Sequence, residues 1–512
     1  MSAKTSRRHL LGAFAAAAPA ALLPAAASHA APLTPAPQKW DRTVDFLVVG
    51  TGFAGLAAAL EAHYAGIKDV LVLEKMPSAG GNSIINGGGI AASGTDMQKE
   101  RGIEDSPDLF FKDILKAGGY INHPDLARRI ADESVSTFEW LRGEIGVKFA
   151  DVYYHGGHSV KRSHTVVEKS GAGFINPMLA KCREFGIPVE LRTKVEHLIE
   201  DEKGRVIGAQ VRRSWRFGRE GSGRLEAIRA RMGILLASGG FSQNVVMRMS
   251  HDPRLTEAFG STNHPGATGE MIQEAQMHGA NTLQMDWIQL GPWTSPDEKG
   301  FGLAPQFVES IVGYGCMVDI ATGKRFFKET GNRKERADAI IAIGHPALIY
   351  ASEKNVQAQT PKAMKKETFE AALKQGVIRR FDTLDELAAF YKIPADALKA
   401  QNERMNGFLK AKKDPDLGCM FFEDSQPNDA GPFYAARLWP RVHHTMGGLE
   451  INNRAQVYNA RHEVIPGLYA AGEVTGGVHG MVRLGTVAVA DCIIFGRTAA
   501  RSALADSKSA AA

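Results

Sequence analysis

The stretch VDFLVVGTGFAGLAAALEAHYAGIKDVLVLEK, Val44–Lys75, decides the fold. An apolar run at its start is typical of a buried parallel strand. Gly50, Gly52 and Gly55 then open an Ala/Leu-rich helix, and a second apolar strand ends in Glu74. In such a unit the glycines let the backbone approach a pyrophosphate at the helix N-terminus, and the acid accepts hydrogen bonds from a ribose. The stretch therefore predicts a dinucleotide-binding βαβ unit.

Two further stretches favour FAD over NAD as the dinucleotide. SAGGNSIINGGGIAASGT, Ser78–Thr95, is a second glycine-rich segment directly after the acid, and flavoproteins lay an extended flavin across such a segment. VIPGLYAAGEVTGG predicts a short strand, Leu468–Ala471, followed by Glu473, which suits an acid that meets the ribityl chain. ILLASGGF, Ile234–Phe241, predicts another strand closing on the same site, and a second GxGxxG for NAD(P)H is absent. We expect FAD.

The first 30 residues predict an export signal. Arg7 and Arg8 precede an Ala/Leu-rich run, and Ser28–Ala30 forms a small-x-small cleavage site, as in twin-arginine signal peptides. We expect residues 1–30 to direct the protein to the periplasm and residues 31–42 to form a linker. No other stretch has the roughly 20 apolar residues needed to span a bilayer.

Composition excludes several other classes of function. The chain has 512 residues, 44% of them hydrophobic and 23% charged, as expected for two or three soluble globular units. Its formal charge of +5 falls to 5 − 3 = +2 without residues 1–30, which is too small to indicate nucleic-acid binding. Four scattered cysteines form neither CxxC nor CxxCH, so no metal cluster or attached haem is predicted, although an isolated disulfide stays open.

The chain resembles the flavoprotein subunits of fumarate reductase. GTGFAG, GGNS, LASGGF, STNHPGATGE, HHTMGG and GEVTGGVHGxxRLG occur in the order found in that family. The resemblance covers about residues 42–505 and is strongest to soluble periplasmic flavocytochrome c fumarate reductases and their urocanate-reducing relatives. It implies a doubly wound α/β FAD domain, about 43–286 and 444–505, interrupted by a mobile α+β capping domain, about 287–443. Residues 506–512 would form a tail.

The resemblance also implies the residues that bind the cofactor. His444, next to the substrate-facing His443, would contact the flavin, with Gly447-Gly448 permitting close backbone approach. The full set expected to bind FAD is Gly50, Gly52, Ala54, Gly55, Glu74, Asn82, Ser83, Gly87, Gly88, His444, Glu473, Ala488 and Val489.

Reducing an activated C=C bond requires a hydride from flavin N5, a clamp for the electron-withdrawing group, and an acid for the neighbouring carbon. By resemblance, His443 and Arg483 hold one substrate carboxylate, and an arginine fork suits that task. Arg333, the last residue of KRFFKETGNR, would protonate the substrate, and Glu309 would return the proton to it. Thr486 would border the substrate.

Four positions depart from the fumarate reductase pattern. Gly291 stands where the family has a histidine for the second carboxylate, and Val308 where it has an assisting threonine. Val312 replaces an arginine of the proton relay, and Thr486 replaces a glycine. An ionised second carboxylate without partners would be costly to bury. We therefore predict a monocarboxylate substrate with a bulkier remainder rather than fumarate; with Val312, solvent or Lys334 could complete the proton route.

Two features of the capping region have a structural interpretation. TLDELAAFYKIPADALKAQNERMNGFL, residues 383–409, has helical spacing of apolar residues on either side of Ile393-Pro394 and predicts two packed helices. Five aromatic residues flank the altered positions and could either line a site for an aromatic substituent or form the core of the cap. They are Trp287, Trp293, Phe301, Phe307 and Tyr314.

The electron donor is expected to be a separate protein, such as a small periplasmic cytochrome c, because the predicted FAD domain begins directly after the linker. The arginine-rich segment Arg205–Arg231 could dock an acidic partner or form a solvated β-hairpin.

Two other functions stay open. One is a dehydrogenase that introduces a C=C bond next to a carboxylate or ketone, as ketosteroid dehydrogenases do, and the other is a non-catalytic flavin- and ligand-binding subunit.

Overall fold

The structure is a computed structural model that describes residues 34–511. The predicted signal peptide, residues 1–30, and the first part of the predicted linker lie outside the described residues. Within them the protein has a mixed α/β fold, with one large, mainly parallel sheet and several smaller antiparallel sheets. The predicted α/β class is confirmed.

The described residues form nineteen strands. In chain order they are β1 (Arg42–Val49), β2 (Val70–Leu73), β3 (Gly89–Ala91), β4 (Phe149–Tyr153), β5 (Ser163–Val166), β6 (Val189–Glu190), β7 (Thr193–Glu200), β8 (Val206–Arg213), β9 (Arg224–Leu236), β10 (Thr282–Leu283), β11 (Ile288–Gly291), β12 (Cys316–Asp319), β13 (Ala347–Ser352), β14 (Arg379–Phe381), β15 (Phe433–Leu438), β16 (Arg441–Thr445), β17 (Gly448–Leu449), β18 (Gln456–Tyr458) and β19 (Val464–Ala470).

Fifteen helices complete the described part of the chain. They are α1 (Phe53–Tyr64), α2 (Gly81–Ile84), α3 (Asp96–Lys99), α4 (Pro107–Ala117), α5 (Pro124–Gly143), α6 (Ala172–Glu184), α7 (Val245–His251), α8 (Glu270–Met277), α9 (Ala304–Ile311), α10 (Arg333–Ala342), α11 (Glu353–Ala363), α12 (Lys366–Lys374), α13 (Leu384–Tyr391), α14 (Ala395–Ala411) and α15 (Val487–Ala511).

The main sheet is built around the predicted βαβ unit. Five parallel strands lie in the order β19-β9-β1-β2-β6, and β18, β8 and β7 extend the sheet by antiparallel pairing. The strands β1 and β2 are apolar because helices cover the sheet; α1 and α15 pack together on it, and the side chains between them are fully buried. The order reverses between β9 and β1, and in open α/β sheets ligands bind outside the carboxyl ends of the strands at such a point.

A separate antiparallel sheet, in the order β12-β13-β15-β14, lies within the predicted capping region. Its two faces are covered by helices, and each face has its own apolar core. The two helices predicted in residues 383–409 are α13 and α14, and Thr383 caps α13 by accepting a hydrogen bond from the backbone N–H of Glu386. Leu387, Leu398 and Leu409 are buried, which confirms their packing role.

Strands β11 and β16 join the two regions. They pair antiparallel, with Gln289 opposite His444 and Gly291 opposite Arg441. The chain therefore enters and leaves the capping region along one ribbon, and β16 crosses the predicted limit between residues 443 and 444. The domain limits stay predictions.

The arginine-rich segment Arg205–Arg231 forms most of the β8–β9 hairpin. Several of its arginines pair with glutamates of the same sheet: Arg212 with Glu196, and Arg213 with Glu226.

All four cysteines are free. None of the helices within residues 34–511 is both long and apolar enough to cross a membrane.

Candidate active site

An open cavity lies at the carboxyl ends of the parallel strands. Its wall includes the residues that follow β1 (Gly50–Ala54), β9 (Ala237–Gly239) and β19 (Ala471–Glu473). The sequence segment ILLASGGF therefore contributes a strand and a loop to this site, as predicted. A groove across the switch point of a doubly wound sheet is the expected place for a dinucleotide.

The glycines of GTGFAG have distinct physical roles. Gly50 has φ +110°, and a Cβ there would lie 2.3 Å from the carbonyl oxygen of Ala237. A Cβ on Gly55 would lie 1.9 Å from the carbonyl oxygen of Gly50, so only glycine lets α1 pack this closely on β1. Gly52 is the N-cap of α1 and provides no side-chain cap. The first turn of α1 thus presents backbone N–H groups to the cavity, which fits a pyrophosphate.

Glu74 lies at the end of β2, buried in the wall of the cavity. One of its carboxylate oxygens accepts from the hydroxyl of Thr51 at 2.5 Å and from the backbone N–H of Thr51 at 3.2 Å. The other accepts from the backbone N–H of Met76 at 2.9 Å. These bonds orient the carboxylate, which retains further lone pairs for a ribose. Thr51, the unassigned residue between two glycines, is a supporting residue that the motif did not reveal.

Glu473 lines the cavity, and His444 lies behind it. The Glu473 carboxylate accepts from the backbone N–H of Thr445 at 3.0 Å, and Nδ1 of His444 lies 3.5 Å from its other oxygen. Burial lowers the pKa of His444 well below its usual value, so the ring is neutral near pH 7. Nε2 of His444 is buried without a partner among the described residues. That free ring nitrogen fits a polar edge of a flavin.

The residues expected to bind FAD fall into two groups. Those that line the cavity are Gly50, Gly52, Ala54, Glu74, Asn82, Ser83 and Glu473. Those that lie outside its wall are Gly55, Gly87, Gly88, His444, Ala488 and Val489. Ala488 and Val489 are in the first turn of α15, and Gly55 acts through helix–strand packing.

A cationic cluster contains His443 and Arg483, which are expected to bind substrate, and Arg333, the expected proton donor. Burial lowers the pKa of His443 well below its usual value, and the neighbouring charges of Arg483 and Arg333 add to that effect. Burial and the charge of Arg333 also lower the pKa of Arg483, to about 9. The charges of Arg333 and Arg483 therefore lie near enough to His443 to affect its protonation. Residues from α10, β16 and the loop before α15 therefore meet at one place.

Arg483 is the buried cation of this cluster. Its side chain is 8% exposed, and it forms no ion pair within 4 Å among the described residues. One of its nitrogens donates to the carbonyl oxygen of Leu484 at 3.1 Å, and Nε has no partner within residues 34–511. Burying an unpaired guanidinium is unfavourable unless an anion accompanies it. The site is therefore suited to an anionic ligand.

Arg333 and Glu309 come from different helices of the capping region. Nη2 of Arg333 donates to Oε1 of Glu309 at 2.5 Å, and the two side chains are 15% and 36% exposed. Arg333 is the first residue of α10, directly after the N-cap Asn332. The predicted donor and its predicted carboxylate partner are thus in direct contact.

Position 291 lies against His443, the histidine predicted to bind substrate. Gly291 is buried, and a Cβ built there would lie 3.5 Å from Cβ and 3.6 Å from Cγ of His443. Both distances are ordinary van der Waals contacts. A side chain at this position would therefore extend over His443, and its absence leaves that space free.

Thr486 has a strained backbone conformation. Its φ is +64°, which is unusual for a β-branched residue and explains why glycine suits this position. Its hydroxyl lies 2.7 Å from Oγ of Ser163 and 2.6 Å from the carbonyl oxygen of Gly485. Both contacts engage the Thr486 hydroxyl.

Other altered or neighbouring positions belong to the cap core. Val308 is fully buried in that core, and Val312 packs against it. Lys334 is paired with Asp338 at 2.5 Å. Trp293, Phe307 and Tyr314 are buried, and Trp287 is partly buried. Of the five aromatic residues, Phe301 contacts the site directly: its ring stacks on His443 with centroids 5.9 Å apart.

Two residues at the site had no role in the sequence-based hypothesis. Oγ1 of Thr262 lies 2.8 Å from Nδ1 of His443, and Nε2 of His155 lies 3.2 Å from Nη2 of Arg333. Thr262 is inside the motif STNHPGATGE, so the motif indicated it without assigning its partner. His155, in YYHGGHS, has no sequence feature that indicates a contact with a residue 178 positions away.

The fold and the site define an FAD-dependent oxidoreductase. A family model described as an FAD binding domain matches residues 45–489, and the chain belongs to this family. It is 41% identical over 471 residues to a protein named acrylate reductase flavoprotein subunit from Shewanella woodyi, covering 90% of this chain and 92% of the relative. It is 33% identical over 477 residues to a protein named urocanate reductase from Eggerthella lenta, covering 92% and 76%.

A solved structure of the open conformation of a flavocytochrome c3 fumarate reductase has the same fold. The TM-score is 0.74 at 32% identity, with 91% of this chain and 79% of that chain covered. The predicted resemblance to fumarate reductase flavoproteins is confirmed, and so is FAD as the cofactor.

Proposed function

We propose that this protein reduces the C=C bond of an α,β-unsaturated monocarboxylic acid. Bound FAD would supply the hydride. The observation that carries the proposal is the buried guanidinium of Arg483 near His443 and Arg333, which has no ion-pair partner in the part of the chain that the structure describes. A substrate carboxylate supplies the negative charge that this cluster lacks, and it withdraws electrons from the adjacent double bond. Relatives named for acrylate and urocanate, both unsaturated monocarboxylic acids, support this substrate class.

His443 and Arg483 would hold the carboxylate. Because the pKa of His443 is lowered, the ring is neutral and offers one N–H. If the Thr262 hydroxyl donates to Nδ1, the proton of His443 resides on Nε2, which can then donate to a carboxylate. The Arg483 fork supplies the charge and the second donor.

Arg333 would protonate the substrate carbon next to the carboxylate. A guanidinium normally keeps its protons, so it needs a partner that replaces the proton as it leaves. The Glu309 carboxylate, 2.5 Å from Nη2 of Arg333, is placed to do this and is partly exposed to solvent. With Val312 in the cap core and Lys334 paired with Asp338, solvent at Glu309 is the route that we propose for proton supply.

The open space at Gly291 supports a substrate with one carboxylate. A dicarboxylate would place its second charge near a glycine and near Phe301, neither of which offers a side-chain donor. The predicted bulkier remainder stays a prediction, and the relative named acrylate reductase favours the smallest acid of this class. Comparing acrylate with urocanate and cinnamate distinguishes a small substrate from a bulkier one.

We also propose that the protein is exported to the periplasm and receives electrons from a separate protein, such as a small cytochrome c. The support is the twin arginine of residues 1–30 and a relative whose name describes it as a flavoprotein subunit. Fusing residues 1–40 to a reporter that is active only after export tests the first part. Retention of the reporter in the cytoplasm would contradict it.

The test of the activity uses the purified FAD-loaded protein, reduced anaerobically with dithionite or a viologen. Reoxidation of the flavin is then followed with acrylate, urocanate, cinnamate and fumarate. The opposite direction is tested by reduction of the oxidised flavin with the saturated counterparts of these acids. We expect rapid reoxidation by at least one monocarboxylate and slow reoxidation by fumarate. Arg333→Ala should retain FAD and lose turnover. A flavin that none of these acids reoxidises would refute the proposal, and net oxidation of saturated acids would favour a dehydrogenase.

A further inference from the structure

The loop after β4 brings His155 to the donor pair. β4 belongs to a small sheet of the FAD-binding part with the order β3-β5-β4, whereas Arg333 and Glu309 are on α10 and α9 of the capping region. Tyr154 on the same loop contacts Phe422 of the capping region, with ring centroids 6.4 Å apart. The loop therefore bridges the two parts of the molecule at the proposed proton donor.

His155 and Glu309 share one nitrogen of Arg333. Nη2 of Arg333 lies 2.5 Å from Oε1 of Glu309 and 3.2 Å from Nε2 of His155, and the two acceptors are 3.8 Å apart. A guanidinium nitrogen carries two protons, so one can point to each acceptor. Two acceptors on one nitrogen fix the rotation of the guanidinium as well as its position.

The structure leaves room for the imidazole at this place. A Cβ on Gly485 would lie 2.1 Å from Nδ1 of His155, so a side chain at 485 would displace the ring. His158, three residues later, lies with Nε2 2.9 Å from the Gly485 carbonyl oxygen and anchors the same loop. The His155 side chain is 11% exposed.

His155 can accept a hydrogen bond from Arg333 only while Nε2 is unprotonated. Burial lowers its pKa well below the usual value, and the nearby cations Arg333, Arg483 and Arg336, together with His158, act in the same direction. Glu309 is the anion that faces it. The ring is therefore neutral near pH 7, with its proton on Nδ1 when Nε2 accepts.

We propose that His155 is a positioning residue that orients the guanidinium of Arg333 for proton transfer, accepting a hydrogen bond at Nε2 in its Nδ1–H tautomer. This role rests on the proposed function, because it deepens the part that Arg333 has in that reaction. It adds a contact from the FAD-binding part to the donor pair of the capping region.

Two variants distinguish a positioning role of His155 from a general effect of this residue on the stability of the protein. His155→Leu removes the acceptor, and His155→Gln keeps one, because a glutamine amide oxygen lies about where Nε2 of histidine does. We expect kcat for the best acid to fall about tenfold or more in His155→Leu, with KM changed less than about threefold, since losing a charge-assisted bond misaligns the donor. His155→Gln should stay within about threefold of the unmodified protein and should lose any decline in kcat caused by protonation of this ring at acidic pH.

Reoxidation of the reduced flavin by ferricyanide, which needs no proton donor, is the internal control and should be equal in all three proteins. Equal kcat in His155→Leu and the unmodified protein would overturn the inference. So would a loss in His155→Leu that His155→Gln fails to rescue.

A second measurement does not depend on turnover. In protein with ¹⁵N-labelled histidine and bound FAD, the His155 ring is assigned by its disappearance in His155→Gln. We expect the Nδ1–H tautomer at pH 7 and a higher pKa for this ring in Arg333→Ala. A protonated Nε2 at pH 7 would overturn the inference even if no acid is reduced, whereas absence of reduction with the expected tautomer would refute the proposed function alone.

Discussion

Adding a histidine at position 291 should create activity on a dicarboxylate. The Cβ of Gly291→His would make only ordinary contacts with His443, at 3.5 and 3.6 Å, so the change can be accommodated. Gly291 ends β11 without a left-handed φ, so a side chain adds no backbone strain there. The new imidazole would lie over the substrate site, where an ionised second carboxylate otherwise has no donor.

The magnitude follows from one hydrogen bond to a charged group. Such a bond contributes about 1.5–3 kcal/mol in a buried site. At 1.36 kcal/mol per factor of ten, the ratio of kcat/KM for fumarate to that for acrylate should rise about 10- to 150-fold in Gly291→His. The assay is anaerobic reoxidation of the reduced flavin, with the two acids compared on one preparation.

Gly291→Leu is the matched control, because it adds similar bulk without a donor. It should leave the ratio unchanged or lower it. A ratio that stays constant in Gly291→His, with FAD still bound, would refute the interpretation of Gly291 as the reason for a single-carboxylate site. Rapid reduction of fumarate by the unmodified protein would refute it as well.

Two other predictions concern tautomers and protonation. Thr262→Val removes the hydroxyl 2.8 Å from Nδ1 of His443 and should raise KM for the acid about 3- to 10-fold with a smaller effect on kcat, measured by steady-state kinetics; an unchanged KM would contradict it. Burial lowers the pKa of His158 and His164 to about 4, so the stability that their neutral forms contribute is present above pH 6.5 and is lost as the pH falls toward 4. Protonation of each histidine should lower the unfolding free energy by about 2 kcal/mol between pH 7 and pH 5, measured by urea denaturation. In His158→Gln the decrease between the two pH values should be smaller by the contribution of one histidine. Equal stability at both pH values would contradict this prediction.

The FAD-binding fold could be predicted because its information is local. The strand, glycine turn, helix, strand and acid of Val44–Lys75 are contiguous, and each residue type has one physical reason to be there. The structure has β1, α1 and β2 at those places. At Gly55 the helix lies so close to the strand that no side chain fits. The helices of residues 383–409 were predictable for the same reason, since their apolar spacing has the period of a helix.

Part of the site was predictable only through resemblance. Nothing in the spacing of KRFFKETGNR shows that Arg333 meets Glu309, or that His443 lies beside Arg483. The structure places these pairs together and also separates the aromatic residues, since Trp293 and Phe307 belong to the cap core and Phe301 stacks on His443. Whether an aromatic residue lines a site or fills a core depends on the packing of distant helices, which the local pattern does not contain.

By itself the amino-acid sequence determined the class of fold, the dinucleotide site and the residue types available for chemistry, because backbone conformation and strand or helix formation follow from neighbouring residues. Only the tertiary structure decided which of those residues act together. His155 and Arg333 are 178 positions apart and meet because the β4 loop and α10 come from parts of the chain that pack across the site. Gly291 lies against His443 because β11 pairs with β16, and that pairing is a property of the assembled chain rather than of either strand.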